Sequence, residues 1–167
     1  MTDEISEHQA RVVDSLTDGN QFLTFTLHQE EYGIEILKVQ EIKGFSRLTP
    51  IPNAPHYVKG VLNLRGTVVP IIDLRSRFSM AEKEQDQFTV IIVVNVGSKV
   101  VGLLVDTVSD VLQIPEEDIC DTPELAGSVD TSYVSGMGKV KDRLVMLLDI
   151  GKLIGVEELE IVEEIAA

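Results

Sequence analysis

From Gln21 onward the chain runs in short β-branched or aliphatic stretches, each bounded by glycine, asparagine, aspartate or proline. FLTFTL, VVPII, FTVIIVVNV, VVGLLV and LVMLL follow one another in this way, the pattern of an all-β domain with many short strands. Tight turns are expected at His28-Gln29-Glu30-Glu31, Asn95-Val96-Gly97-Ser98 and Lys141-Asp142. Asn63-Leu64-Arg65-Gly66 reads as a hairpin tip that presents an arginine. Residues 1–19 are polar, with weak helical spacing at Ile5, Val12, Val13 and Leu16 up to the turn signal Asp18-Gly19-Asn20, and read as a loosely held arm. Helical spacing returns only where Val156, Leu159, Ile161, Val162 and Ile165 sit among glutamates, so an acidic helix is expected over residues 156–167.

An internal repeat organises the part between. Strand, turn, Tyr32-Gly33-Ile34, Val39 and Glu41-Ile42 are answered by strand, turn, Val101-Gly102-Leu103, Val108 and Asp110-Val111, with the same spacing from glycine to valine and to acid. Tyr57-Val58-Lys59-Gly60 is answered by Tyr133-Val134-Ser135-Gly136. Gly60 to Asp73 and Gly136 to Asp149 are equal distances, ending in VVPIIDL and VMLLDI. Four matches in one order indicate two copies of a five-stranded unit, expected over about residues 20–86 and 87–155. One copy buries a marginal core by itself. Two small barrels packed side by side, with a groove between them, would bury the remaining aliphatics.

Composition narrows the possible partners. The 167 residues carry 28 acidic against 14 basic side chains, a formal net charge of −14. Such a surface is repelled by the phosphates of nucleic acid and by an anionic leaflet, so neither is expected as a partner. Cys120, the one cysteine, cannot close an internal disulfide, which fits a reducing compartment. The acidic N-terminus lacks the apolar run of a signal peptide and no stretch is long enough to span a bilayer, so a cytoplasmic protein without membrane insertion is expected.

The chemical inventory is thin. His8, His28 and His56 stand apart from other ligand types at metal spacing, and HExxH, CxxC, Walker A and strand-linked GxGxxG motifs are absent from the sequence. Glu30-Glu31, Glu116-Glu117 and Glu157-Glu158 read as solvated surface. Glu41 and Asp110 occupy equivalent repeat positions, which suggests shared geometry before acid–base work. No catalytic residue, cofactor or metal is therefore expected, and a duplicated β-barrel binding module is the reading that residues alone support. A small enzyme or a generic interaction module of another signalling complex remain as alternatives.

FLTFTL, EEYGIEILKVQEI, the proline-spaced IPNAPHYVKGV, NLRGTVVPIIDLR and RF together resemble the CheW family of bacterial chemotaxis coupling proteins. VVGLLVDTVSDVL and YVSGMG resemble its second half, and the likeness covers residues 20–155. The resemblance implies two intertwined five-stranded SH3-like barrels, and an adaptor joining the cytoplasmic hairpin tip of a chemoreceptor to the regulatory domain of the chemotaxis histidine kinase. It places Val39, Glu41, Arg65, Val108 and Val111 at receptor-contact positions. It also places Leu125, in the loop Pro123-Glu124-Leu125, at a kinase contact, where relatives can carry phenylalanine and can have arginine at the position of Cys120. The implied location is the inner face of the membrane at receptor arrays, held through protein contacts.

Overall fold

The computed structural model describes residues 21–81, 83–120 and 133–154. The expected arm, the acidic terminal helix and Leu125 lie outside the described residues. Strands β1 (Gln21–Leu27) and β2 (Glu30–Glu35) form a hairpin, and a 3-10 turn at Ile36–Lys38 leads into β3 (Val39–Gly44). A second hairpin of β4 (Val58–Leu64) and β5 (Thr67–Asp73) runs into the short helix α1 (Leu74–Arg77). Then come β6 (Val90–Val96), β7 (Lys99–Val105), β8 (Thr107–Gln113) and a 3-10 turn at Glu116–Asp118. The short β9 (Ile119–Cys120), β10 (Val134–Val140), β11 (Arg143–Leu148) and α2 (Ile150–Leu153) complete the described chain. All four expected turns form, each with two central residues between paired strands.

The strands make two sheets, ordered β8-β1-β2-β11-β10-β9 and β3-β6-β7-β5-β4. Exchanging β8, β1, β2, β11 and β10 for β3, β6, β7, β5 and β4 converts one order into the other. The duplication therefore extends to topology, and it reaches the register. Gly33 faces Leu147 across the parallel β2–β11 pair, and Gly102 faces Ile71 across β7–β5. Both β-bulges recur, after Val58 and after Val134. The Asp73 and Asp149 amides donate to the Tyr57 and Tyr133 carbonyls, each at 2.8 Å. Even β9, where Cys120 faces Met137, has a counterpart in the isolated bridge Thr49–Val61.

The sheets do not divide the chain at the expected boundary near residue 86. The turn Ile36–Lys38 carries the chain from the first sheet to the second, and Asp106 carries it back. The second sheet is thus continuous, residues 39–105, whereas the first combines residues 21–35 with 107–148. Each copy lends its N-terminal hairpin to the other, because the parallel partner of that hairpin is the last strand of the opposite copy.

Strand alternation then serves two interiors at once. Ile91 and Val93 join Val69, Ile71 and Leu104 inside the second barrel, while Phe22, Ile114, Val145 and Leu147 fill the first. The intervening residues, among them Leu23, Phe25, Ile34, Ile72, Ile92, Val94, Leu103 and Leu148, form one larger cluster shared by both barrels. Each such side chain contributes about 1.5–3 kcal/mol on full burial, so neither barrel could expose this face without heavy cost. Arg77 closes the junction. Its guanidinium lies 4.9 Å from the Tyr57 ring centroid and 4.5 Å from that of Tyr133, its repeat equivalent. It also donates to the Tyr133 hydroxyl at 2.5 Å and the Leu153 carbonyl at 3.2 Å.

Candidate partner-binding site

The candidate site begins at a hairpin tip. Between Leu64 and Thr67 the turn is Arg65-Gly66, with φ of 51° and 88° at its two central residues. Positive φ at both belongs to the type I′ turn, whose twist matches the flanking strands. Asn63 locks it, its side-chain oxygen accepting from the Gly66 amide at 2.9 Å. This geometry holds the Arg65 guanidinium outside the fold, with its side chain 67% exposed.

Glu41 stands on β3, at the opposite edge of the same sheet from β4. Nonetheless, Arg65 Nη2 donates to Glu41 Oε2 at 2.7 Å. Two residues from opposite sides of a sheet can meet only if the sheet is rolled, so this ion pair marks where the barrel comes round on itself. A bulge at Gln40, between Val39 and Glu41 in the ladder with β6, aims the Glu41 carboxylate. The second copy repeats the device. Ser109 is skipped between Val108 and Asp110 in the ladder with β1, and the buried Thr24 hydroxyl donates to the Asp110 carbonyl at 3.1 Å. The ion pair is not repeated there. Instead Arg143 grips Glu31 through two hydrogen bonds, one of them 2.9 Å, and the Glu31 carboxylate holds the guanidinium's pKa above its ordinary value.

Of the residues proposed from sequence, Glu41 and Arg65 are thus brought into direct contact. Val39 and Val108 are both half-buried and pack at the rim of the shared central cluster. Val111, facing Leu23 in the β1–β8 ladder, is exposed. That central cluster packs between the barrels, where a groove was expected, with Val39 and Val108 partly buried against it. Exposed apolar residues outside the set expected from sequence include Ile42, Val68 and Leu144. The repeat carried the signal, since Ile42 matches Val111 and Val68 matches Leu144. The acids closing the strand runs, Asp73 and Asp149, cap α1 and α2 by accepting from the Arg75 and Lys152 amides.

Two barrels of one duplicated topology, with a surface ion pair and exposed apolar residues, make up a barrel-pair module. Residues 21–158 match the model of the CheW-like domain family. The chain is 50% identical over 150 residues to the chemotaxis protein CheW of Klebsiella aerogenes, covering 90% of each. To that of Rhizobium meliloti it is 40% identical over 142 residues, 85% of this chain and 92% of the relative. The crystal structure of the scaffolding protein TtCheW from Thermoanaerobacter tengcongensis resembles it with a TM-score of 0.76 at 31% identity, over 84% of this chain and 90% of that one. The chain belongs to the CheW-like family of chemotaxis coupling adaptors. Among the described residues no helix is long and apolar enough to cross a membrane.

Proposed function

We propose that the protein, without catalysis of its own, joins the cytoplasmic hairpin tip of a chemoreceptor to the regulatory domain of the chemotaxis histidine kinase, in the cytoplasm at receptor arrays. The Glu41–Arg65 pair supports this reading best. It is a surface pair joining a rigid hairpin tip to the edge strand β3, and such an ion pair contributes only about 0–1 kcal/mol to folding. Beside it, Val39 offers an apolar rim, and Val108 and Val111 offer a second one on the other barrel. A helical receptor tip carrying apolar side chains and one charge of each sign would find apolar contact on the valines and its register from Glu41 and Arg65. The kinase domain, itself a barrel pair of the same family, would meet exposed strands and loops. Val68 and Leu144, exposed at equivalent positions of β5 and β11, suit that contact, with Leu125 as a further candidate.

Arg65→Ala tests the receptor surface. Arginine and alanine share the same penalty at positive φ, so folding should change by about 0.5 kcal/mol and Tm by about 1–2 °C. Capture by a receptor cytoplasmic fragment should weaken by about 2 kcal/mol, roughly thirtyfold, while kinase binding survives. Normal receptor capture by a folded variant would remove Arg65 from the receptor surface.

A further inference from the structure

A cavity of about 580 Å³ opens on the second barrel and shares no residue with the surfaces above. Its lining includes the exposed Phe45, the half-buried Leu48 and the buried Leu104, together with Arg47, Lys59, Lys83, Asp73 and Glu84. Among the described residues its lining carries three cations and two acids. Asp73 is already committed to Lys59 at 3.6 Å, to the Arg75 amide at 3.0 Å and to the Ser76 hydroxyl at 3.3 Å. Lys83 is committed to Asp86 at 3.1 Å. The Arg47 guanidinium makes no ion pair or hydrogen bond among the described residues.

The duplication supplies an internal comparison. Lys59, Asp73 and Leu104 correspond to Ser135, Asp149 and Glu35, and these three line a cavity of about 260 Å³ on the other barrel. Among the described residues that lining has one cation, Lys38, and two acids. Among the described lining residues of the two cavities, only the larger one carries an uncommitted guanidinium, that of Arg47. The geometry points to a binding site for an amphipathic carboxylate, its apolar body against Phe45, Leu48 and Leu104 and its carboxylate on Arg47. A volume of this size holds a drug-sized ligand or two peptide residues. A free aryl-alkyl acid and an acidic side chain beside an apolar one in a peptide present the same chemistry.

Two probes separate those sources, 4-phenylbutyrate and the capped dipeptide N-acetyl-Leu-Glu-amide, titrated into the full chain and followed by amide chemical shifts. At least one should bind with Kd on the order of 1 mM, the range for fragments of this size. The shifts should centre on Phe45, Leu48 and Leu104 and leave Ser135 and Leu148 unmoved. Binding of phenylbutyrate alone identifies the free acid as the source, and of the dipeptide alone a peptide. The neutral counterparts, 4-phenylbutanol and N-acetyl-Leu-Gln-amide, should bind about tenfold more weakly, the loss of one charge-assisted contact. Arg47→Gln should erase that preference at unchanged Tm, and Phe45→Ala should weaken acid and neutral probe alike. No shifts at these residues up to about 10 mM, ten times the expected constant, would overturn the proposal, as would an undiminished preference in Arg47→Gln.

Discussion

Asp106 shows how much one side chain does at the point where the chain returns from the second barrel to the first. Arg75, on α1, donates to both of its oxygens at 2.7 and 2.5 Å, and the His28 amide, at the tip of the first hairpin, donates at 3.1 Å. Burial, the largest single influence, would raise the Asp106 carboxyl. The Arg75 and His28 hydrogen bonds, with the charges of Arg75 and Lys83, outweigh it and hold the carboxyl below the ordinary aspartate range. The carboxylate's contribution to stability is therefore complete above the unfolded-state pKa of about 4 and is lost as pH falls through the lower native value. Asp106→Asn should lose about 2–3 kcal/mol at pH 7, because it removes the counter-charge to which the half-buried Arg75 is hydrogen-bonded and leaves only the charge of Asp73 near it. Urea unfolding at pH 7 and near pH 3 checks this. The gap between parent and variant should narrow at the lower pH, and a gap independent of pH would show that Asp106 acts by shape. Nothing in the sequence announced the pair. By repeat spacing Asp106 answers to the exposed Leu37, and Arg75 to Gly151, so the contact exists in one copy only and a duplicated pattern could not reveal it. Arg65 was legible because its turn chemistry is local: Asn63 and Gly66 fix the tip within four residues.

At the level of strands, the matched glycines mark where the two copies press on each other. A Cβ on Gly102 would lie 2.4 Å from Ile71 Cδ1 and 2.8 Å from Ile91 Cγ2, inside the second barrel. At Gly33 the corresponding contacts, to Leu147 and Val145, are 3.1 Å. Gly102→Ala should therefore cost about 1–3 kcal/mol through overpacking, and Gly33→Ala clearly less, since its neighbours need give only a few tenths of an ångström. Gly60 is the more demanding position. Its φ is 154°, and an added Cβ would stand 2.4 Å from the Thr49 carbonyl oxygen, which is backbone and cannot rotate away. The expected order of destabilisation is Gly60→Ala, then Gly102→Ala, then Gly33→Ala, read from thermal unfolding of the three variants. Gly33→Ala as the worst of them would refute the packing argument. Strand hairpins were legible for the same reason as Arg65, being encoded in neighbouring residues. The parallel pairings of β2 with β11 and β5 with β7 were not, because they join residues far apart in sequence and leave no mark on local alternation.

For the whole molecule, the exchange of hairpins decides what counts as a folding unit. Repeat spacing is the same whether each copy keeps its first hairpin or lends it away, so sequence periodicity cannot distinguish two independent barrels from two interlocked ones. The hydrogen-bonded sheets do distinguish them. A fragment ending at residue 86 keeps β1 to β5 but loses β6 and β7, so β3 loses its ladder partner and β5 its parallel one. The complementary fragment loses β1 and β2, and with them the partners of β8 and β11. Both also lose half of the shared central cluster, including either Phe25, Ile34 and Ile72 or Ile92, Val94 and Leu103. Fragments 1–86 and 87–167 should each lack cooperative thermal unfolding by circular dichroism. Mixed at equal concentration, they should regain it, because the cut falls between α1 and β6 and severs no ladder. Recovery should depend on concentration and be slow, as befits a fold built on pairings between distant residues. A cooperative transition in either fragment alone would mean that a single copy can close its own barrel, and that the interlocked sheets are not needed for stability.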